Sequence, residues 1–185
     1  MTTMIILAVV IILIIWVISL YNRLVKLRNN RENAFADIDV QLKQRHDLVP
    51  QLVETVKGYA THEKETFEKV VAARNTAVSA KSIDDKIVAE NALTSALAGL
   101  KVTLEAYPEL KANQNFMQLQ EEVADLENKL SAVRRYFNSA TKELNNAVQV
   151  FPSNIIAGMC GFHKEMMFDL GEQRTNYEEA PQIKF

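Results

Sequence analysis

The positions of glycine and proline limit what this chain can fold into more than any other feature. Neither residue occurs before Pro50, and neither occurs between Pro108 and Pro152. Strands need tight turns, and tight turns draw on glycine, proline and Asn-Gly or Asp-Gly pairs. No such pair is present, and outside the apolar start no sustained alternation of apolar and polar residues occurs. Two long stretches free of helix breakers, with the breakers gathered at their ends, leave helix as the structure that fits. The fold class is all-α.

The first stretch opens with Met4 to Tyr21, which carries no charge. About 18 residues at roughly 1.5 Å each give about 27 Å, close to the ~30 Å hydrocarbon core of a bilayer. In lipid the backbone must satisfy its own hydrogen bonds, so isoleucines that disfavour helix in water still form one. A cleaved signal peptide would want basic residues before the run and a small-x-small site after it. Thr2-Thr3 precede it and Leu20-Tyr21-Asn22 follow, so a signal-anchor over residues 1–22 is the better reading. Arg23, Lys26, Arg28 and Arg31 follow at once, and Trp16 and Tyr21 lie towards that end. The positive-inside rule and the aromatic preference for the interface place the N-terminus outside and the rest in the cytoplasm. The four basic residues read as a topology signal rather than a ligand site.

No punctuation separates the span from what comes next. Leu24, Leu27, Ala34/Phe35, Ile38 and Leu42 continue at steps of three and four, with Arg31 interrupting the stripe. Val49, Leu52, Val56, Ala60, Phe67 and Val70 keep nearly the same phase. Pro50 stands in the middle, either in the first turn of a new helix capped by Asp47 or inside one kinked helix. Arg45-His46-Asp47 offers no slack for a reversal, so the continuous helix is favoured, with Gly58 and Thr61 as a second possible break. Ser82-Ile83-Asp84-Asp85 reads as a capping box for a helix faced by Ile83, Ile87, Leu93, Leu97, Leu100 and Leu104. Its small residues (Ala92, Ala96, Ala98, Gly99) predict a close helix neighbour, and Tyr107-Pro108 stops it.

Phe116, Leu119, Val123, Leu126, Leu130, Val133, Phe137, Ala140, Leu144, Ala147 and Phe151 form the most regular pattern in the chain. Its period of about 3.5 residues is that of a left-handed bundle or coiled coil. Glu121, Glu122, Asp125, Glu127, Lys129, Arg134, Arg135, Lys142 and Glu143 lie between the stripe positions and predict a solvated face. The seam belongs to an intramolecular bundle in the favoured reading and to an intermolecular coil in the other. Pro152 ends the helix, and Ser153 predicts the cap of a short one. The apolar segment Ile155–Phe162 with Met166-Met167-Phe168 predicts packing over the bundle end, with lipid or a partner as the alternatives. Gly171 to Phe185 predicts a loosely held tail.

The architecture expected is thus an N-terminal transmembrane helix continuing into an elongated, left-handed helical bundle of about four long helices. The bundle covers residues 23–152, and a short C-terminal helix and tail cover 153–185. A formal charge of −2 spread over a mixed surface gives no concentrated basic face, so nucleic acid is not an expected partner. Cys160 is the single cysteine and cannot close an internal disulfide.

The chemistry that would signal an enzyme does not assemble. His46, His62 and His163 lack the Glu three residues earlier that a carboxylate di-metal bundle needs. His62-Glu63 lacks the second histidine of a zinc protease helix, and Cys160-x-x-His163 offers two ligands where a closed zinc site takes four. No phosphate-binding glycine loop or nucleophile elbow occurs. Arg45-His46-Asp47 reads as an interhelical salt bridge or a cap. No catalytic, cofactor-binding or metal-binding residue is assigned, and no cofactor is expected.

The block Ile38–Glu63, IDVQLKQRHDLVPQLVETVKGYATHE, resembles the LemA family of bacterial membrane proteins. The resemblance resumes at AYPELKAN (106–113), around Phe116–Leu119 and Glu127, at RRYFNSATKELNNAVQVFPSNIIAGMCGF (134–162) and in the closing APQIKF. Phe35 stands where an indole is often found, and Leu144-Asn145 replaces a usual Tyr-Asn. The resemblance implies an antiparallel helical bundle opened by a long helix, one span, and an N-out, C-in topology. It implies no catalytic residue, and a member found in magnetosome membranes implies membrane organisation as a role. The expected partners are the lipid bilayer, further copies of the chain and other membrane proteins. The expected function is a non-enzymatic membrane-anchored scaffold at the bacterial plasma membrane, the alternative a regulatory adaptor for a membrane enzyme such as a protease.

Overall fold

The computed structural model describes residues 1–60 and 62–168. Those residues form helices and connections, with no strand among them. The helices are α1 (Thr2–Lys57), α2 (Lys64–Ser79), α3 (Ile83–Leu104), α4 (Pro108–Lys111), α5 (Gln114–Gln149) and α6 (Ser153–Met159). Two compact units divide the chain, Met1–Ala36 with Tyr136–Met167, and Asp37–Arg135 with Phe168.

α1 runs through Pro50 without ending at Asp47, and the hydrogen bonding accounts for this. Proline has no N–H, so the carbonyl of His46, four residues earlier, loses its helical donor. Arg74 of α2 takes the vacant place: its Nε donates to the His46 carbonyl at 3.1 Å. The helix then stops at Lys57, where Tyr59 and Ala60 both donate their N–H to Val56 O. The break at Gly58 is therefore the real one; Thr61 lies outside the described residues.

α2 packs against α3 across the short link Ala80–Ser82. The cap of α3 follows the sequence pattern: Ser82 Oγ accepts from the Asp85 N–H at 3.0 Å, with Asp84 and Asp85 in the first turn. Of the small residues expected to meet a close neighbour, only Ala96 packs against the core. Ala92, Ala98 and Gly99 are exposed, and a methyl added at Gly99 would meet nothing within 4 Å. α3 packs instead through Ile87, Ala89, Leu93, Leu100 and Leu104. Beyond Tyr107, α4 places Leu110 fully inside. Asn113 then caps α5, its Oδ1 accepting from the Phe116 N–H at 3.1 Å while its Nδ2 donates to Tyr59 Oη at 2.7 Å.

The stripe of α5 is buried or half-buried from Phe116 through Ala147, as its period predicts. Phe151 departs from it. α5 ends at Gln149, the helical phase is lost, and Phe151 is 75% exposed. The second unit has one core to which α1 (Val49, Leu52, Val53, Val56), α2 (Phe67, Val70, Ala77), α3, α4 and α5 (Phe116, Leu119) all contribute. In the first unit Phe35 meets Phe137 edge to face at 5.6 Å. Nearby Leu24, Ala147 and Ala157 form a small cluster with Leu27, Val148, Ile156 and Phe162 around it.

Ser153 does not cap α6 as expected. It is the first residue of that helix, and its buried hydroxyl points back to α5, with Ala147 O at 2.6 Å and Val150 O at 2.9 Å as acceptors. It reaches Ala147 O, a carbonyl that the end of α5 leaves open, while Val150 O also accepts the Asn154 N–H at 3.0 Å. α6 closes at Gly161 (φ 75°), where Phe162 N–H reaches Ala157 O at 2.9 Å. That six-to-one bond needs a left-handed residue, which glycine supplies without strain, and it turns Phe162 back towards α1.

Candidate functional site

Every residue from Met1 to Ser19 is exposed, although nearly all are apolar. A helix that is apolar all round has no polar face for water and needs either a protein core or lipid. No core covers this one, so α1 carries a candidate membrane span. α3 is also long and apolar enough by composition, but Leu93 and Leu100 sit in the core of the second unit.

The basic exit from the span is less uniform than its sequence suggests. Arg23, Lys26 and Arg28 are exposed, but Arg31 is only 4% exposed and is a packing residue. Its Nη1 pairs with Glu165 at 3.1 Å, its Nη2 donates to Met166 O at 3.3 Å, and its guanidinium lies 5.1 Å from the Phe137 ring centre. Burying a guanidinium is costly unless it is paired and hydrogen-bonded, and here it is both. Asn145, also buried, holds the same segment: its Nδ2 donates to Glu165 O at 2.9 Å and its Oδ1 accepts Glu165 N–H at 2.8 Å. Residues 162–167 are thus strapped to α1 and α5 by Arg31 and Asn145. Tyr21 meets Phe162 edge to face at 6.1 Å, and Arg28 lies 5.2 Å above the same ring.

The second unit holds a buried charge cluster around the Arg45-His46 pair. Arg45 Nη1 donates to Glu90 Oε2 at 3.0 Å; its Nη2 donates to Thr94 Oγ1 at 3.1 Å and reaches Glu127 Oε1 at 2.8 Å. The carboxylate of Glu90 can only accept, so His46 Nε2 carries the proton of their 2.5 Å contact. Arg45 and Glu90 are almost wholly enclosed, while Glu127 keeps one edge in water. Arg134 lies close by, with its guanidinium 5.0 Å from the Phe168 ring centre and its Nε and Nη2 without hydrogen-bond partners. Burial first, then the charge of Arg45, pushes its pKa down, partly offset by Glu127 and Glu90. Two arginines and two glutamates balance, and the arrangement reads as an interhelical clasp. A groove of about 650 Å³ opens beside it, lined by Arg45, Thr94, Leu97, Lys101, Val123 and Glu127.

The Arg45-His46-Asp47 triplet therefore splits. Arg45 and His46 make the interhelical bridge expected of them; Asp47 is exposed, does not cap, and accepts from Lys43 within the helix at 2.8 Å. Glu127 and Arg134 correct the reading of α5, because both leave the solvated face to which their positions between stripe residues assign them. Glu90, Asn145 and Glu165 carry no sequence signal, since their partners are remote along the chain. Cys160 is exposed, and His163 faces Gly161 O and Glu165. Among the described residues no group of three or more His, Cys, Asp or Glu side chains is placed to hold a metal ion.

Comparison with known proteins agrees on one family. The LemA family model matches residues 34–185. Protein LemA of Metamycoplasma hominis is 24% identical over 153 residues, covering 82% of this chain and 69% of that protein.

Proposed function

The chain belongs to the LemA family, and we propose that it is a non-enzymatic scaffold anchored in the bacterial plasma membrane. In this reading residues 1–22 are the anchor, 23–152 a cytoplasmic bundle and 153–185 a C-terminal segment, with the N-terminus outside. The scaffold self-associates and organises the membrane or its proteins.

The observation that carries the reading is the exposed apolar run at the start of α1, which needs lipid around it, on the same helix that supplies core residues further along. Native mass measurement after gentle detergent extraction tests the assembly. Oligomers of the chain support the scaffold, whereas a strict monomer with no co-purifying protein overturns it. Crosslinking in cells that traps one stoichiometric enzyme replaces it with the adaptor reading. For topology, alkaline phosphatase fused after Phe185 should be inactive; periplasmic activity reverses the orientation.

A further inference from the structure

We propose that the α5–α6 corner is a second membrane contact: Phe151, Ile155 and Met159 dip into the lipid interface beside the span's exit. The inference rests on the membrane-anchor reading and adds a site to it.

The corner has two apolar sides, and only one is used inside the protein. Ala157, Ile156 and Phe162 pack on Leu24, Leu27, Ala147 and Val148. On the other side Phe151 is 75%, Ile155 52% and Met159 80% exposed, with Val150 at 58% beside them. Residues 151, 155 and 159 are spaced four apart, so Ile155 and Met159 share one face of α6 and Phe151 precedes it in the turn. A cluster of this kind left open to water is costly, and it is held in place by a buried serine hydroxyl and a glycine-closed cap.

Continuity with the span selects lipid as the occupant. The residues that hold α6 are Tyr21, Leu24, Leu27 and Arg28, which begin where the charge-free run of α1 ends. From Tyr21 to Arg28 the helix rises roughly 10 Å. Headgroup layers occupy about 5–8 Å on each side of the hydrocarbon, and interfacial helices bury an apolar face about 5–10 Å into that boundary. Arg23, Lys26 and Arg28 at the same level suit anionic headgroups. A span that ends at Tyr21 therefore brings α6 to interface depth.

Cys160, exposed and next to Met159, allows a direct test, since the chain has no other cysteine. The full chain is reconstituted in vesicles containing anionic lipid and labelled at Cys160 with a fluorophore. A control, Ile11→Cys with Cys160→Ser, is labelled in the span. Shallow nitroxide lipids should quench the Cys160 label and deep ones the control, with aqueous iodide reaching neither well. Phe151→Ser/Ile155→Ser/Met159→Ser should weaken lipid quenching at Cys160, raise its quenching by iodide, and leave a span label unchanged. If the span control is quenched while the Cys160 label answers to iodide, the inference is overturned and the anchor stands. A Cys160 label shielded from both quenchers means that protein covers the face, which also overturns it. An unquenched span control removes the anchor reading and this inference with it.

Discussion

Breaking the Arg45–Glu90 pair should cost far more than deleting it. Glu90 is 1% exposed, Arg45 4%, and with His46 and Thr94 they hydrogen-bond one another, Arg45 Nε alone being left without a partner. Glu90→Leu leaves the guanidinium enclosed with Thr94 and a single carboxylate, Glu127, at 2.8 Å. Stranding one member of a buried pair costs about 3–5 kcal/mol, and the surviving Glu127 contact argues for about 3. Arg45→Met strands Glu90 with only His46 and belongs at the upper end. The double change Arg45→Met/Glu90→Leu replaces two charges by apolar side chains of similar length and should lie near the native stability or above it. A loss of about 3 kcal/mol corresponds to a Tm lower by roughly 6–12 °C for a domain of this size. Arg134→Met next to them should not destabilise, because it removes a half-hidden charge with two unpartnered nitrogens. The assay is urea unfolding of the detergent-solubilised full chain, followed by far-ultraviolet circular dichroism. Additive single and double changes, with the double the least stable, would refute the clasp.

Three further outcomes follow from the geometry. Arg74→Met should cost about 1–3 kcal/mol by orphaning the His46 carbonyl, and Pro50→Ala should remove most of that cost by restoring a backbone N–H; a double-mutant cycle with no coupling would refute the substitution of donor. Arg31→Lys should free residues 162–167, since an ammonium reproduces neither the stacking on Phe137 nor the paired contacts. Tryptic cleavage after Lys164 should then accelerate on the order of tenfold to a hundredfold, matching about 1.5–3 kcal/mol of lost charged hydrogen bonding, and an unchanged rate would show that Arg31 holds nothing. Leu126→Asp should cost several kcal/mol, because Leu126 is buried and a carboxylate there has no partner of its own; unchanged melting would show that the α5 seam is not core.

The sequence makes plain those features whose cause is local. Breaker-free stretches, the Ser82 cap and the α5 period all act within a few residues, and each appears where the pattern puts it. The passage through Pro50 was legible as a helix without room to turn, but its donor was not, because Arg74 lies 28 positions beyond the carbonyl it serves. The same distance problem hides the clasp: Arg45 and Glu90 are 45 positions apart, and nothing around Glu90 marks it. Glu127 and Arg134 follow Leu126 and Val133 directly, positions that a single seam would leave wet. In the second unit both are drawn under cover beside the stripe, Glu127 against Arg45 and Arg134 over Phe168. Arg31 was visible as an interruption, yet only the fold brings Glu165 to it. Phe151 was lost to a helix that stops at Gln149 before the stripe does.

Pro50 also gives the chain an order of events. Arg74 follows His46 by 28 positions, so in a growing chain the carbonyl is made before the side chain that serves it. Until then the turn around Pro50 is short of one intrahelical hydrogen bond. When Arg74 arrives and α2 docks, the gap is closed from outside the helix by a single guanidinium. The first helix therefore draws its bonding at that turn from a neighbour that is synthesised later.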